Sequence, residues 1–256
     1  MSAAGTAIRL DGVSLCYRLA KQRPRSLKEY LLHFVRGQLV YEKLWALRDV
    51  DLSIERGESV GVIGRNGAGK STLLRVISGV LRATRGRVRA VGRIAPILEL
   101  GTGFDPELTG LENIRLFALF LGRSHREIDA ATSAIVEFSG LGDFVRSPVR
   151  NFSSGMLARL GFAVVTAWIP DLLIVDEALA VGDAVFLARC HARLAEFRRA
   201  GTTILLVSHQ PELIRASCGR CLRIEGGRIA ADGDPETVLA GYGEERRSSI
   251  AADENP

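Results

Sequence analysis

Short apolar runs and helical periodicities alternate along this chain, and together they predict an α/β fold. Mostly aliphatic runs cover Glu58–Ile63, Leu172–Val175 and Thr203–Val207. Runs this short, bounded by polar residues, are typical of buried strands. Helical periodicity occupies residues 71–78, 109–121, 127–139 and 157–168. The last three stretches predict a helical block between two strand-rich parts, with Thr109 and Ser124 as suitable N-cap residues.

Weaker strand patterns flank these elements. Residues 7–18 alternate between apolar and polar positions, which predicts an edge strand, and residues 45–54 predict a second strand. Strand character continues over residues 88–100, and residues 221–230 predict short strands around Gly226 and Gly227. The polar tail, residues 244–256, has no periodic pattern and is predicted to be disordered.

Residues 19–45 contain a basic stretch after the first predicted strand. Ser26 and Glu29 form a capping-box pattern that predicts an amphipathic helix over about 26–37. Its apolar face has Leu27, Leu31, Phe34 and Val35. The cations of the stretch, which include a basic approach to the helix, are Lys21, Arg23, Arg25, Lys28 and Arg36. Such a helix suits contact with a membrane surface or a membrane partner. It suits packing on its own domain, with a solvated basic face, equally well.

Composition narrows the class of protein. The 256 residues are 47% hydrophobic and 25% charged, which is typical of a well-packed soluble protein. No apolar run reaches the roughly 18 residues of a membrane span, and the N-terminus has no apolar signal core. A net charge of +5 is compatible with a nucleic acid, an anionic membrane face or an acidic substrate as the binding partner, and it does not distinguish among them. Cys218 and Cys221 form a lone Cys-x-x-Cys, for which packed, reduced thiols are expected rather than a metal or redox role.

A glycine-rich segment lies between a predicted strand and a predicted helix. It reads Gly64-Arg65-Asn66-Gly67-Ala68-Gly69-Lys70-Ser71-Thr72 and fits the pattern Gly-x-x-x-x-Gly-Lys-Ser. Its glycines allow positive-φ conformations in which successive N–H groups face one point, as does the positive end of the following helix. Lys70 can reach β- and γ-phosphates, and the Ser71 hydroxyl is placed to ligate Mg²⁺. The segment predicts binding of a nucleoside triphosphate, which points to the cytoplasm.

Two acids follow the apolar run of residues 172–175. A Mg²⁺–triphosphate needs a carboxylate at a strand end beside the phosphate loop, since the ion is hard and prefers oxygen. Asp176 supplies that carboxylate, acting directly or through water. Glu177 points away from Asp176 in an extended chain, so it can polarise an attacking water. A general base of this kind contributes about 10²–10⁴-fold to the rate.

Three further positions have weaker signals. The segment 151–156 precedes a helical stretch, so its N–H groups and the Ser153 hydroxyl form another anion-binding helix start. His209 ends a predicted strand, where an imidazole can contact a γ-phosphate, although a structural histidine is more common at such a place. Tyr17 can stack on an adenine ring, or it can be an ordinary strand aromatic.

In their order along the chain, these motifs resemble those of the ATP-binding-cassette ATPases over about residues 7–240. The order is phosphate loop, Phe152–Met156, Asp176-Glu177, Ala178–Asp183 and Ser208-His209. The stretch 98–114, the signature Phe-Ser-Ser-Gly-Met and the helix inserted after Tyr17 are similar to one branch, the polysaccharide, polyol-phosphate and teichoic-acid exporter ATPases.

The resemblance implies a fold and a set of residue roles. It implies a P-loop NTPase fold with a RecA-like α/β core, an antiparallel β-subdomain and a helical insertion at about 104–168, all within an ATPase domain covering 1–243. Tyr17 would stack on adenine, and residues 64–72 would wrap the phosphates of ATP. Asp176 would serve Mg²⁺, Glu177 would be the catalytic base, and His209 would position the γ-phosphate.

Other roles implied by the resemblance depend on a second subunit. Ser153, Ser154 and Gly155 would contact the γ-phosphate of ATP held by the other subunit of a head-to-tail dimer. Asp183 would sit in the loop that crosses between the subunits, so the expected assembly is a homodimer.

Two positions depart from the family pattern. The family's Mg²⁺-binding glutamine has no counterpart, since no Gln occurs between 39 and 209. Glu99 is the nearest candidate ligand, and Leu100 is next by strict counting, but a carboxylate at 99 adds negative charge near the phosphates. Met156 replaces the last polar residue of the signature, so a hydrogen bond made there in other members is absent.

The resemblance implies the ATP-hydrolysing subunit of an exporter that moves a lipid-linked polysaccharide of the O-antigen, capsule or teichoic-acid type. Its partners would be integral-membrane permease subunits that handle the lipid-linked glycan, at the cytoplasmic face of the cell (inner) membrane. The alternatives are the ATPase of an importer or drug exporter, a soluble cassette acting on DNA or the ribosome, and a non-catalytic regulator. A single cassette without coiled-coil arms argues against nucleic acid as a partner, and the Asp176-Glu177 pair argues against a regulator.

Overall fold

The computed structural model describes residues 5–20, 41–98, 101, 103–176 and 183–242. The strands are β1 (Thr6–Ala20), β2 (Tyr41–Glu55), β3 (Ser59–Ile63), β4 (Arg85–Ala90), β5 (Ile94–Ile97), β6 (Leu172–Asp176), β7 (Thr203–Val207), β8 (Arg220–Glu225) and β9 (Arg228–Gly233). The helices are α1 (Lys70–Ile77), α2 (Gly110–Phe120), α3 (His125–Ser139), α4 (Ser154–Val165), α5 (Ala184–Arg199) and α6 (Pro211–Ser217). Short 3₁₀ helices cover Gly142–Arg146 and Val149–Asn151, and residues 235–242 are also helical.

The larger sheet has six strands in the order β5-β6-β7-β3-β8-β9. The pairs from β5 to β8 are parallel, and β9 is antiparallel to β8. Every residue of β3 and β7 is buried, as expected where both faces of a parallel sheet are covered. The arrangement confirms the predicted α/β fold and explains why these strands are almost purely aliphatic.

The smaller sheet has three antiparallel strands in the order β2-β1-β4. The prediction that residues 7–18 form an edge strand is wrong, because β1 pairs with β2 on one side and with β4 on the other. Alternation of apolar and polar residues indicates that one face of an antiparallel sheet is exposed to solvent. It does not indicate how many strands pair with that strand. β2 begins at Tyr41, four residues before its predicted start, and the pattern over 88–100 belongs to the end of β4 and to β5.

Apolar side chains cover both faces of the six-stranded sheet. On β6, Leu172 and Ile174 pack with β1, β2 and α1, whereas Leu173 and Val175 pack with α4, α5 and α6. Burying one side chain of this size contributes about 1.5–3 kcal/mol. The three-stranded sheet and α1 therefore lie against one face of the parallel core, and the later helices lie against the other.

The helical block has an apolar core of its own, formed by α2, α3 and α4 with the two 3₁₀ helices. Thr109 and Ser124 cap α2 and α3, each in a capping box that a glutamate three residues later completes. This confirms both predicted N-caps, while α4 begins at Ser154, three residues before its predicted start. The predicted helix at 26–37 and the tail 244–256 lie outside the described residues.

No helix within the described part of the chain is long and apolar enough to cross a membrane.

Candidate functional site

A cavity of about 690 Å³ opens at the carboxyl ends of β3, β6 and β7. This size falls within the range of small-molecule sites, about 300–1,000 Å³. The cavity, here called the phosphate-loop cavity, is lined by Tyr17, Leu44, Ala46, Asn66, Gly67, Gly69, Lys70, Ser71, Thr72, Leu98, Asp176 and His209. The structure therefore brings together residues that the sequence spreads over almost 200 positions.

At two tightly packed positions of the loop between β3 and α1, the backbone has a conformation that only glycine adopts without strain. Gly64 and Gly69 have φ values of 151° and 111°. A Cβ at Gly64 would lie 2.4 Å from the carbonyl oxygen of Ile224, and one at Gly69 would lie 2.5 Å from that of Ala46. Close packing and positive φ together explain why glycine occupies both positions.

The turn between β8 and β9 holds this loop in place through backbone hydrogen bonds. The amide of Gly227 donates to the carbonyl of Ala68 (3.0 Å), and the carbonyl of Gly227 accepts from the amide of Arg48 on β2 (2.8 Å). The glycine pair at 226–227, around which the sequence predicted only short strands, thus connects the phosphate loop to the three-stranded sheet.

Helix α1 and Lys70 both direct positive charge into the phosphate-loop cavity. Gly69 is the N-cap and has no side chain to occupy the first-turn N–H groups. The ammonium of Lys70 is buried and donates to the carbonyl oxygens of Gly64 (2.8 Å) and Arg65 (3.1 Å). The N–H groups of the first helical turn, the helix dipole and a fixed cation form an anion-binding arrangement.

Tyr17 forms the wall opposite the loop. It lies on β1, pairs in register with Leu44 of β2, and lines the cavity beside Leu44 and Ala46. Its hydroxyl lies 3.4 Å from the hydroxyl of Thr72. Leu44 and Ala46 were not predicted from the sequence; strand register places them here, and pairing Tyr17 with β2 would have been the signal.

The acidic and imidazole groups reach the cavity from neighbouring strands. Asp176 ends β6 opposite Val207 of β7, and His209 follows two residues later. Asp176, His209 and Ser71 all line the cavity. The Ser71 hydroxyl and the Asp176 carboxylate are oxygen donors of the kind that suits a hard cation such as Mg²⁺. Glu177 and Glu99 lie outside the described residues.

The signature segment does not contribute to the lining of this cavity within the described residues. Ser153 is the exposed N-cap of α4, where its hydroxyl accepts from the amide of Met156 at 3.3 Å. Ser154 is also exposed, and Gly155 lies in the first turn. The structure thus has a helix N-terminus at this segment, with Ser153 as its N-cap.

Asp183 is engaged in two contacts at the start of α5. It accepts from the amide of Phe186 (2.8 Å) and from the guanidinium of Arg159 on α4 (2.5 Å). The Phe186 amide and then the Arg159 charge hold the pKa of Asp183 below its ordinary value. Arg159 also lies over the Phe186 ring, 5.4 Å from its centroid. Sequence reasoning missed Arg159, whose signal was a cation three residues after Met156.

Cys218 and Cys221 are buried free thiols. Burial raises the pKa of Cys218 to about 12 and that of Cys221 to about 11. Thiols held so firmly in the protonated form are unreactive, which fits a packing role.

Comparisons with known proteins agree with this geometry. A family model described as "ABC transporter" matches residues 47–180. The O-antigen export system ATP-binding protein RfbB of Klebsiella pneumoniae is 44% identical and covers 92% of this chain and 96% of its own length. The ABC transporter protein AbcA of Aeromonas salmonicida is 44% identical over 85% of this chain and 71% of its own length. The teichoic acids export ATP-binding protein TagH of Lactococcus lactis is 46% identical over 77% of this chain and 42% of its own length.

Solved structures share the fold. A dimeric ATP-binding cassette in a post-hydrolysis state, bound to ADP and Pi, has a TM-score of 0.70 at 21% identity and covers 89% of this chain and 98% of that one. The ATP-binding subunit of an ABC transporter has a TM-score of 0.72 at 24% identity, with 93% of both chains covered. At this level of identity, the likeness establishes the fold alone.

Proposed function

The chain belongs to the ABC transporter family of ATPases, and from that premise we propose that it powers export of a lipid-linked polysaccharide across the cytoplasmic membrane. The observation that carries the proposal is the phosphate-loop cavity, where Lys70, Asp176 and His209 meet beneath Tyr17. Support for the substrate class comes from the relatives, one named for O-antigen export and another for teichoic acid export. The glycan is thus of the O-antigen, capsule or teichoic-acid type.

In this proposal, ATP lies in the cavity with its base against Tyr17 and its phosphates on the N-terminus of α1. The buried ammonium of Lys70 exchanges its contacts with loop carbonyls for contacts with β- and γ-phosphate oxygens. Ser71 and Asp176 would hold Mg²⁺, which supplies neutralisation of phosphate charge when bound. Because phosphoryl transfer depends mainly on positioning and charge, these groups account for most of what the reaction needs.

The attacking water would be activated by Glu177, which follows Asp176 directly in the sequence. Glu177 would accept the proton that water loses as its oxygen bonds to the γ-phosphorus, while the bond from that phosphorus to the β–γ bridging oxygen breaks and ADP leaves with this oxygen. His209, in the same cavity as Asp176, would hold the γ-phosphate in line. Glu99 stays a candidate Mg²⁺ ligand in place of the family glutamine.

A second copy of the chain would complete the site. The segment Ser153–Gly155, whose two serines are exposed, and Asp183 do not line the cavity of their own chain within the described residues. In this proposal they face the nucleotide of a partner copy. The ATPase domain would cover residues 1–243, with the helical subdomain at about 104–168. The dimer would bind permease subunits at the cytoplasmic face of the inner membrane.

Replacement of Glu177 tests the catalytic part of the proposal. The Glu177→Gln protein should bind ATP normally, lose most hydrolysis, and accumulate as a dimer in Mg-ATP, measured by light scattering during size-exclusion chromatography. Glu137→Gln is the matched control, since Glu137 is exposed on α3 and is not among the residues that line the cavity. Unchanged turnover in Glu177→Gln would remove that residue from its role.

A cellular complementation experiment tests the substrate class. Cells that lack this chain should lose their surface polysaccharide, the wild-type chain should restore it, and Lys70→Ala should not. Full surface glycan in the deletion strain would contradict the export function while leaving the ATPase activity in place.

A further inference from the structure

The two strands that form the nucleotide wall have a second concave surface on their other face. Because side chains alternate along a strand, Tyr17 and Leu44 point to one face of the β1–β2 pair and Arg18 and Lys43 point to the other. The first face lines the phosphate-loop cavity. The second lines a separate cavity of about 380 Å³, here called the basic hollow, whose walls are Cys16, Arg18, Lys43, Trp45, Thr84 and Arg85.

Three cations converge on the basic hollow. Arg18 and Lys43 lie directly opposite each other in the β1–β2 register, and Arg85 begins the adjacent strand β4. Like charges placed directly opposite on neighbouring strands destabilise a sheet. None of the three cations forms an ion pair with a carboxylate in the described part of the chain. Within the described residues, no carboxylate is paired with these cations to offset the repulsion.

The hollow is held in shape by contacts other than ion pairs. The guanidinium of Arg85 lies over the Trp45 ring, 5.3 Å from the centroid, which fixes its position while leaving its N–H groups available. The amide of Cys16 donates to the Thr84 hydroxyl at 3.0 Å, and this bond joins β1 to the segment that leads into β4. Arg85 and the backbone of the hollow are thus in place before any ligand arrives.

We propose that the basic hollow binds a phosphate ester or a diphosphate. Arginine offers a planar fork that matches phosphate oxygens, and lysine adds a point charge. A ligand with two or more negative charges would offset the repulsion between Arg18 and Lys43 and would accept hydrogen bonds from all three cations. The lining residues include no carboxylate that would repel such a ligand.

The placement of the hollow connects it to the nucleotide. Arg18 directly follows Tyr17, and Lys43 directly precedes Leu44, so a ligand that fixes the cations on one face also fixes the wall of the phosphate-loop cavity on the other. Any change that this ligand makes in nucleotide affinity must be matched by an equal effect of nucleotide on the ligand. A phosphate-bearing molecule could in this way regulate the ATPase without entering its active site.

Calorimetric titration with inorganic pyrophosphate, without Mg²⁺ and nucleotide, tests the proposal. The wild-type chain should bind two pyrophosphates, one on the phosphate loop and one in the basic hollow. The Arg18→Gln/Lys43→Gln protein should keep the first and lose the second, with affinity falling about tenfold for each cation removed. Lys70→Ala should lose the first and keep the second. The control Arg87→Gln removes an exposed cation from the same strand as Arg85, outside the hollow, and should keep both.

A second experiment separates a soluble phosphate from a lipid headgroup. The same variants are mixed with vesicles of phosphatidylcholine alone or of phosphatidylcholine with phosphatidic acid, and sedimentation measures binding. Loss of binding to the acidic vesicles in the double variant, but not in Arg87→Gln, would assign the hollow to a headgroup, whereas loss of the second pyrophosphate alone would assign it to a soluble ligand. If the double variant matches the wild-type chain in both assays, or if the wild-type chain binds only one pyrophosphate and no acidic vesicle, the proposal is wrong.

Discussion

Replacing Tyr17 measures how much the adenine base contributes to the affinity for ATP. The ring forms the cavity wall opposite the phosphate loop, and its hydroxyl makes only a long contact, 3.4 Å, with Thr72. Tyr17→Ala removes both the ring and the hydroxyl, whereas Tyr17→Phe removes the hydroxyl alone. The two variants therefore separate stacking on adenine from the contact with the loop.

The expected magnitudes follow from these contacts. Stacking of a base on an aromatic side chain contributes about 1–3 kcal/mol, so Tyr17→Ala should weaken ATP binding by about 5- to 150-fold. The contact with Thr72 is at the limit of hydrogen-bond length, and an ordinary hydrogen bond contributes about 0.5–1.5 kcal/mol. Tyr17→Phe should thus bind ATP within about fivefold of the wild-type chain.

Tripolyphosphate, which has the phosphates but no base, provides the decisive comparison. Calorimetry should show that Tyr17→Ala binds tripolyphosphate as tightly as the wild-type chain while losing affinity for ATP. Thermal unfolding checks that the variant is folded. Equal ATP affinity in the Ala, Phe and wild-type proteins would refute the stacking role, and a parallel loss of both ligands would show that the ring supports the loop instead.

Three other substitutions test the packing and the electrostatics. Phe162→Ala should cost about 3–5 kcal/mol in urea unfolding, because this ring is 1% exposed and contacts Phe186; a loss similar to that of a surface variant would contradict the assigned core. Gly86→Ala should cost about 1–3 kcal/mol in the same assay, because φ is 84° and a Cβ would lie 2.4 Å from the carbonyl oxygen of Gly12. Asp183→Asn should reduce the melting temperature at neutral pH, and the difference from the wild-type chain should disappear on acidification. The lowered pKa of Asp183 gives stabilisation that is present above its ordinary value, 3.8, and is lost as pH falls through the lower folded value, so a difference that grows in acid would contradict the assignment.

Elements fixed by local chemistry were predicted closely from the sequence. The caps at Thr109 and Ser124 depend on residues three positions apart, and β3 and β7 are set by short aliphatic runs. The place of β1 in its sheet depends instead on β4, which lies about 70 residues later in the chain. Alternation along one strand contains no information on how many strands flank it, so the edge assignment failed.

The residues of the candidate site also fall into two groups, those that a local pattern predicts and those that it does not. Lys70, Asp176 and His209 were predicted because each follows or ends a recognisable strand, and parallel strands end at a common edge. Leu44 and Ala46 enter the cavity through the register between β1 and β2, and Arg159 reaches Asp183 through the packing of α4 against α5. Neither strand register nor helix packing can be predicted from a local sequence motif.

The contact between Arg159 and Asp183 has a consequence for the proposed dimer. It joins α4, whose first turn contains Ser154 and Gly155, to the N-terminus of α5. In the two-copy proposal, both of these segments face the partner's nucleotide, and the ion pair links them to each other. The phosphate loop is held instead by the parallel sheet and by the turn at Gly227. Loss of the γ-phosphate would then release both segments of the partner together, because the contact with Arg159 couples the position of Asp183 to that of α4.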